Sequence, residues 1–327
     1  MNRRARLMLM GSGLTAAMMV LAESARHSVA DYFVRVALDR KIPPHPIGAE
    51  RRLVASCTDE KMLREIENAG KNLASKDHEV VRIQSRDHVS LVGHWMTVEH
   101  PKRIIIAMHG WRSAWDHDFG MVADFFRNHD CNVLYAEQRG QGGSGGAYMG
   151  FGLTERYDCL DWINWVNQRN NTKLPVYLCG ISMGASTVLM TGGLDLPENV
   201  RGILADCGYT SAVNIWRHVA KEAHLSYKLY GGPAGRLAKK RLAVEMDSDS
   251  CLQALSRCQV PVLFVHGTDD RFVPIDMTYE NYKACASPKR LFVVPGAEHG
   301  MSYLVDPKGY ENAVKSFWAD FDNGILS

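Results

Sequence analysis

Residues 180–184 read Gly180-Ile181-Ser182-Met183-Gly184. They follow the apolar run Val176–Cys179 and precede a helix-forming Ala185-Ser186-Thr187. A serine at the apex of a sharp strand-to-helix turn needs small residues two positions to either side, because the backbone there is strained and closely packed. The helix that starts beneath such a serine also favours negative charge developing beside it. Type and context together mark Ser182 as a candidate nucleophile.

A serine hydroxyl attacks poorly until a base accepts its proton. His299 is the candidate base: it lies in Pro295-Gly296-Ala297-Glu298-His299-Gly300, directly after the last strand-like run, Leu291–Val294. His109 and His266 also follow such runs and precede glycine, and both are read as loop-shaping residues. The acid should come from the loop after the preceding strand, His266-Gly267-Thr268-Asp269-Asp270-Arg271-Phe272-Val273-Pro274. Local chemistry does not separate Asp269 from Asp270. Asp206, after Ile203–Ala205, is a third option and reads first as an anchor for the turn that follows it.

Attack on an acyl carbonyl places charge on its oxygen, and two backbone N–H donors must meet it. Met183, directly after the serine, supplies one. Trp111, in His109-Gly110-Trp111 after the run Arg103–Met108, supplies the other. Losing one such donor typically costs about 10²–10³ in rate. Trp115, Tyr209, Trp216 and Tyr303, with Trp111, are candidates for an acyl pocket, or else for ordinary packing. This chemistry requires neither a metal nor an organic cofactor.

These groups need a scaffold that brings loops to one edge. Strand-like runs occur at Val80–Ile83 and Leu91–Met96, a hairpin, and then at Arg103–Met108, Asn132–Ala136, Val176–Cys179, Ile203–Ala205, Val262–Val265 and Leu291–Val294. The later runs are short, β-branched and bounded by Gly or Pro, as in strands buried on both faces. Helical stretches separate them at Asp118–Asn128, Thr154–Gln168, Met183–Met190, Ile275–Cys285 and Gly309–Asp322, with another at Asp59–Leu73. The alternation predicts an α/β fold: a mostly parallel eight-stranded sheet flanked by helices, with ligands at the carboxyl ends of the strands. Residues from about 207 to 258 carry helical but no strand signals, which predicts a helical cap, with a turn at Gly231-Gly232-Pro233.

Gly140-Gln141-Gly142-Gly143-Ser144-Gly145 fits a dinucleotide fingerprint. The glycine-rich stretch runs on through Gly146 and Gly150 without opening a helix, so no nucleotide cofactor is expected.

The N-terminus has a different character. Arg3, Arg4 and Arg6 precede an uncharged run, Leu7–Ala22. This is the layout of a signal or signal-anchor segment. As a helix it would extend about 24 Å, short of the ~30 Å hydrocarbon core. A helix lying on the membrane or on the domain, and an ordinary helix, are the other readings. Residues 24–46, closing at Pro43-Pro44, read as a linker helix, which leaves 47–327 as the catalytic domain. The expected location is membrane-associated or exported through this segment, with a cytoplasmic protein as the alternative.

Lys and Arg number 38 against 36 Asp and Glu, a formal net charge of +2, and no basic stripe recurs, so nucleic acid is not an expected partner. The eight cysteines contain no CxxC pair, and several sit in apolar runs. They read as reduced core thiols rather than a zinc site or disulfide framework.

Taken together, HGW, EQRGQGGSGG, GISMGAS, HGTDDRFVP and GAEHG resemble the α/β-hydrolase superfamily. More narrowly they resemble its serine aminopeptidase and monoacylglycerol lipase-like branch, including bacterial hydrolases with an N-terminal membrane-anchoring helix. The resemblance covers roughly residues 79–322. In the family's HG-x-x-D-x-x-VP pattern the aspartate falls on Asp270, which implies that Asp270 is the acid. Glu137 stands where the family more often has aspartate. The resemblance implies a small-molecule acyl substrate cleaved through Ser182, His299 and Asp270, with carboxylesterase or lipase-like activity as the first expectation. Acylaminoacyl or small-peptide hydrolysis, thioester hydrolysis and acyl transfer use the same acyl-enzyme. A non-catalytic binding protein on this fold is the alternative from another class.

Overall fold

The computed structural model describes residues 23–41, 60–171 and 173–323. Eight strands form one sheet: β1 Glu79–Gln84, β2 Ser90–Met96, β3 Arg103–Met108, β4 Cys131–Glu137, β5 Val176–Ile181, β6 Val200–Asp206, β7 Val262–Gly267 and β8 Lys289–Val294. Their spatial order is β1-β2-β4-β3-β5-β6-β7-β8. β2 runs antiparallel to both its neighbours, and every ladder from β4 to β8 is parallel. Each expected run lies within one of these strands.

The central strands have no polar face because both faces are covered. Along β5, Val176 and Leu178 join one apolar cluster while Tyr177 and Cys179 join the other, the alternation that strand geometry imposes. Helices Glu155–Arg169 and Met183–Thr191 contribute to the first cluster; Trp115–Phe119, Ala123–Asn128 and Pro307–Phe321 contribute to the second. Burying one Ile or Leu in such a layer stabilises the fold by roughly 1.5–3 kcal/mol.

Three expectations change. The single helix over Asp118–Asn128 is two, Trp115–Phe119 and Ala123–Asn128. The break follows Gly120, whose backbone packs against Ala69 and Gly70 of the helix Glu60–Ala74, too close for a side chain. The cap holds helices Ala212–Glu222, Tyr227–Leu242 and Cys251–Ser256, but Gly231-Gly232-Pro233 makes no turn, because Pro233 sits inside the second helix. Gly231, Ala234 and Ala238 bury one face of that helix at helical spacing, and this tertiary burial overrides the local breaker signal.

The third change concerns the N-terminal helix. Residues 23–38 are helical, and the segment is docked rather than a free linker. Ala30, Val34 and Leu38 are fully buried in the first cluster. Phe33 meets Trp216 of the cap edge-on at 5.2 Å, and Arg241 of the cap pairs with Asp31 at 2.9 Å and Asp39 at 2.8 Å. The apolar run Leu7–Ala22, Pro43-Pro44 and Cys57 lie outside the described residues. No helix among the described residues is long and apolar enough to cross a membrane. The other seven cysteines are free and buried.

Candidate active site

Sheet order and register determine which loops meet. Met108 of β3 pairs with Gly180 of β5, Ile181 with Asp206 of β6, Asp206 with Val265 of β7, and Gly267 with Val294 of β8. The loops that follow β3, β5, β6, β7 and β8 therefore emerge side by side at the carboxyl edge. Backbone bonds stitch them together: Ser182 N–H to Asp206 O at 2.9 Å, Cys207 N–H to Val265 O at 3.0 Å, and Asp269 N–H to Ala297 O at 3.0 Å.

Ser182 occupies the gap between β5 and the helix Met183–Thr191 with φ 57° and ψ −117°. For a side-chain-bearing residue this conformation stores about 1–3 kcal/mol. The turn closes because nothing projects from its glycines: a Cβ on Gly184 would run into the Met108 carbonyl, and one on Gly180 into Gly184.

His299 Nε2 stands 2.8 Å from Ser182 Oγ, and its Nδ1 stands 2.6 Å from Asp270 Oδ2. Of the three aspartates, Asp270 is the one whose carboxylate meets the imidazole. Asp269 is exposed and accepts from Thr268. Asp206 is buried and accepts from Ser302 Oγ at 2.9 Å. Its burial raises its pKa to about 6. The second oxygen of Asp270 accepts from the amides of Phe272 at 2.9 Å and Val273 at 2.8 Å, which turns the carboxylate inward.

His266 does more than shape its loop. Fully buried, it places Nε2 3.0 Å from Asp270 Oδ2 and 2.9 Å from Val273 O, while Nδ1 meets Thr278 Oγ1 at 2.7 Å. Facing two acceptors, Nε2 carries the proton, and the Thr278 hydroxyl donates to Nδ1. Burial would raise the Asp270 pKa, but His299 and His266 outweigh it and hold the carboxyl well below its ordinary range. Burial likewise opposes charge on His299, yet the Asp270 carboxylate raises its pKa above the ordinary value. The arrangement can accept a proton from Ser182 and stabilise the imidazolium that results.

Among the described residues, neither the Met183 nor the Trp111 N–H has a hydrogen bond to a protein acceptor. The Trp111 loop is tied down from both sides. Gly110 N–H donates to Asp118 Oδ2 at 2.6 Å. Trp111 Nε1 donates to Ala37 O at 2.8 Å, and Arg112 donates to Val36 O at 2.6 Å and Asp39 O at 2.7 Å. The end of the N-terminal helix thus anchors this loop. Asp118 was hidden from sequence reasoning by its place in an expected helix. His109 does shape the loop: it is buried and receives the Gln138 amide on Nε2 at 3.1 Å.

Of the pocket candidates, Tyr209 and Trp216 lie in the cluster on the cap side, both against Phe151, at 6.1 and 5.8 Å between ring centroids. Trp111 stacks on Phe272 at 6.4 Å, and Phe272 meets His299 edge-on at 5.0 Å. Trp115 and Tyr303 are not in this group. Trp115 stacks on His94 at 4.1 Å within the opposite cluster, and Tyr303 donates to Glu311 and packs on Tyr310. Phe151 and Phe272 carried no sequence signal beyond their apolar type.

The glycine-rich loop after β4 is structural. Glu137 pairs with His94 at 2.7 Å and accepts the Gly143 amide. Ser144 Oγ donates to Glu137 O at 2.6 Å and accepts from Val92 N–H at 2.8 Å.

Residues 99–243 match the family model described as serine aminopeptidase, S33. This stretch holds Trp111, Ser182 and Met183 and ends before Asp270 and His299. YqkD of Bacillus subtilis is 28% identical over 190 residues, 57% of this chain and 61% of YqkD. YfhR of Escherichia coli K12 is 25% identical over 170 residues, 51% of this chain and 53% of YfhR. The chain therefore spans less than two thirds of the length of either relative. The Pyrococcus furiosus esterase Pf2001 superposes with a TM-score of 0.63 at 22% identity, covering 86% of this chain and 97% of its own. The esterase EaEST of Exiguobacterium antarcticum gives 0.54 at 17% identity, covering 73% and 99%. At these identities the superpositions establish the fold. The chain thus has the fold of the α/β hydrolases, and its residues 99–243 are similar to the serine aminopeptidase, S33 family.

Proposed function

We propose that the chain hydrolyses acyl esters through a covalent acyl intermediate on Ser182. The observation that carries this reading is the continuous line from Ser182 Oγ through both nitrogens of His299 to Asp270, at 2.8 and 2.6 Å. His299 takes the serine proton as Oγ attacks the carbonyl carbon, and Asp270 holds the imidazolium. The amides of Met183 and Trp111 receive the oxyanion. The protonated imidazole then gives its proton to the leaving alkoxide. Water, activated by the same ring, releases the acid and restores the serine.

The aromatic group beside the base, Phe272, Trp111 and Phe151, favours an apolar acyl chain of short or medium length. Cleavage of an acylaminoacyl or small-peptide bond is the second reading, supported by the description of the family model. A panel of p-nitrophenyl esters of graded chain length, run beside aminoacyl p-nitroanilides, tests both. Ester turnover that falls to background in Ser182→Ala is expected; turnover retained in that variant would overturn the proposal.

A further inference from the structure

Cys207 takes no part in the chemistry above, yet it stands beside it. The residue follows β6 directly, is held at φ 50°, and is 1% exposed. Its sulfur, a carboxylate oxygen of Asp270 and a ring nitrogen of His299 all lie within 4.8 Å of one another. Among the described residues no other group of three Cys, His, Asp or Glu side chains is so placed. From these positions we infer that Cys207, Asp270 and His299 form a binding site for a zinc ion, and that the ion inhibits the enzyme by occupying the base. This inference names a regulator of the site proposed above and rests on that reading for its effect on turnover.

Zinc bonds to sulfur at about 2.3 Å and to nitrogen and oxygen at about 2.0–2.2 Å, so tetrahedral ligand atoms stand roughly 3.3–3.6 Å apart. The Asp270–His299 pair, 2.6 Å apart, therefore has to open by roughly 0.7–1 Å, while the sulfur, within 4.8 Å of both, closes by at most about 1.5 Å; rotation of the Cys207 side chain and of the loop-borne imidazole supplies both movements. One thiolate, one imidazole and one carboxylate suit zinc; magnesium and calcium prefer sets made of oxygen. Three protein ligands leave the fourth position to water.

Nδ1 is the nitrogen that faces Asp270, and in this site it is the one that would bind the ion. A neutral imidazole that gives its Nδ1 lone pair to a metal carries its proton on Nε2, which faces Ser182 Oγ. That nitrogen can then no longer accept the serine proton. The proton formerly on Nδ1 resides on Nε2, the Cys207 thiol releases its proton to solvent, and Asp270 enters already ionised, so one proton leaves per ion bound. Burial holds the free thiol protonated well above its ordinary range, while the amides of Ser182 and Gly300 favour the thiolate.

Cobalt(II), which reports thiolate ligation by a near-ultraviolet charge-transfer band, separates binding from catalysis. The chelator-treated full chain should take up one cobalt with that band, and zinc should displace it. Zinc at the same concentration should lower ester turnover at least tenfold, and EDTA should restore it. Cys207→Ser, with Cys207→Ala as a second variant, should turn over ester at the wild-type rate, lack the band, and keep at least half its turnover in zinc. A wild-type protein without the band, or equal zinc inhibition in the Cys207 variants, would overturn the inference. A band that forms in a protein showing no ester turnover would uphold metal binding at Cys207 and overturn the hydrolase reading together with inhibition.

Discussion

His266 and His299 meet on a single atom: Asp270 Oδ2 lies 3.0 Å from the first ring and 2.6 Å from the second. The first imidazole is anchored by Thr278 and Val273, so the carboxylate that orients the base is itself oriented from behind. In the proposed mechanism His266 is a positioning residue. His266→Ala should lower kcat roughly tenfold with KM unchanged, because substrate contacts are intact while the base is less well held. His266→Gln, which keeps a donor, should recover most of the loss. The alanine variant should also cost about 2 kcal/mol or more in denaturant unfolding, since it leaves buried groups without partners. An unchanged kcat would argue against positioning.

The Asp270 carboxylate raises the His299 pKa against the opposing effect of burial, and neutral imidazole is the form that accepts a proton. The rate should therefore rise with pH. The kcat/KM profile should show an acid limb with its midpoint above about 6.5, the ordinary histidine value. Asp270→Asn should move that limb to lower pH and reduce kcat by about 10⁴. A wild-type midpoint at or below 6.5 would contradict the coupling. In stability the two groups act in opposite directions. The depressed Asp270 pKa contributes stability that is present above about pH 3.9 and lost as pH falls. The raised His299 pKa contributes stability that is full below about pH 6.5 and lost as pH rises through its folded value.

Asp118 fixes the loop that carries the Trp111 amide by accepting from Gly110 N–H at 2.6 Å, and it is itself held by Ser113 and His117. Asp118→Ala should lower kcat by about 10², the cost of a misplaced oxyanion donor, with a much smaller change in KM. Steady-state kinetics within twofold of wild type would remove Asp118 from the machinery.

Arg112 ties the same loop to the end of the N-terminal helix through Val36 O and Asp39 O. A cation on these terminal carbonyls, desolvated and hydrogen-bonded, contributes about 1 kcal/mol. Arg112→Ala should lower Tm by roughly 2–4 °C and reduce kcat along with it. Removing residues 1–41 should go further, exposing Trp111, Phe151 and Trp216 to solvent, and should give a larger drop in Tm or insoluble protein. A truncated chain as stable as the full one would show that the helix is a dispensable linker.

The strands were legible because burial on both faces leaves only apolar, β-branched runs between Gly and Pro, as in Arg103–Met108 and Val262–Val265. Ser182 and His299 were legible because each needs a particular residue type directly after a strand. Asp269 and Asp270 were not separable from local chemistry, since which neighbour turns inward depends on the amides of Phe272 and Val273. The resemblance pointed to Asp270 where spacing could not. Trp115 and Tyr303 show the limit of residue type: an aromatic ring announces burial but not the side of the sheet on which it is buried. The docked N-terminal helix was hidden for a similar reason, because Ala30, Val34 and Leu38 form an apolar stripe whose partner is distant in sequence.

The most direct measurement is reaction of the folded full chain with a fluorophosphonate, followed by intact mass and peptide mapping. One adduct on the peptide containing Ser182, absent from the Ser182→Ala variant, is the expected result. A folded protein that stays unlabelled while a control serine hydrolase reacts, or an adduct on another residue, would contradict the assignment of the nucleophile.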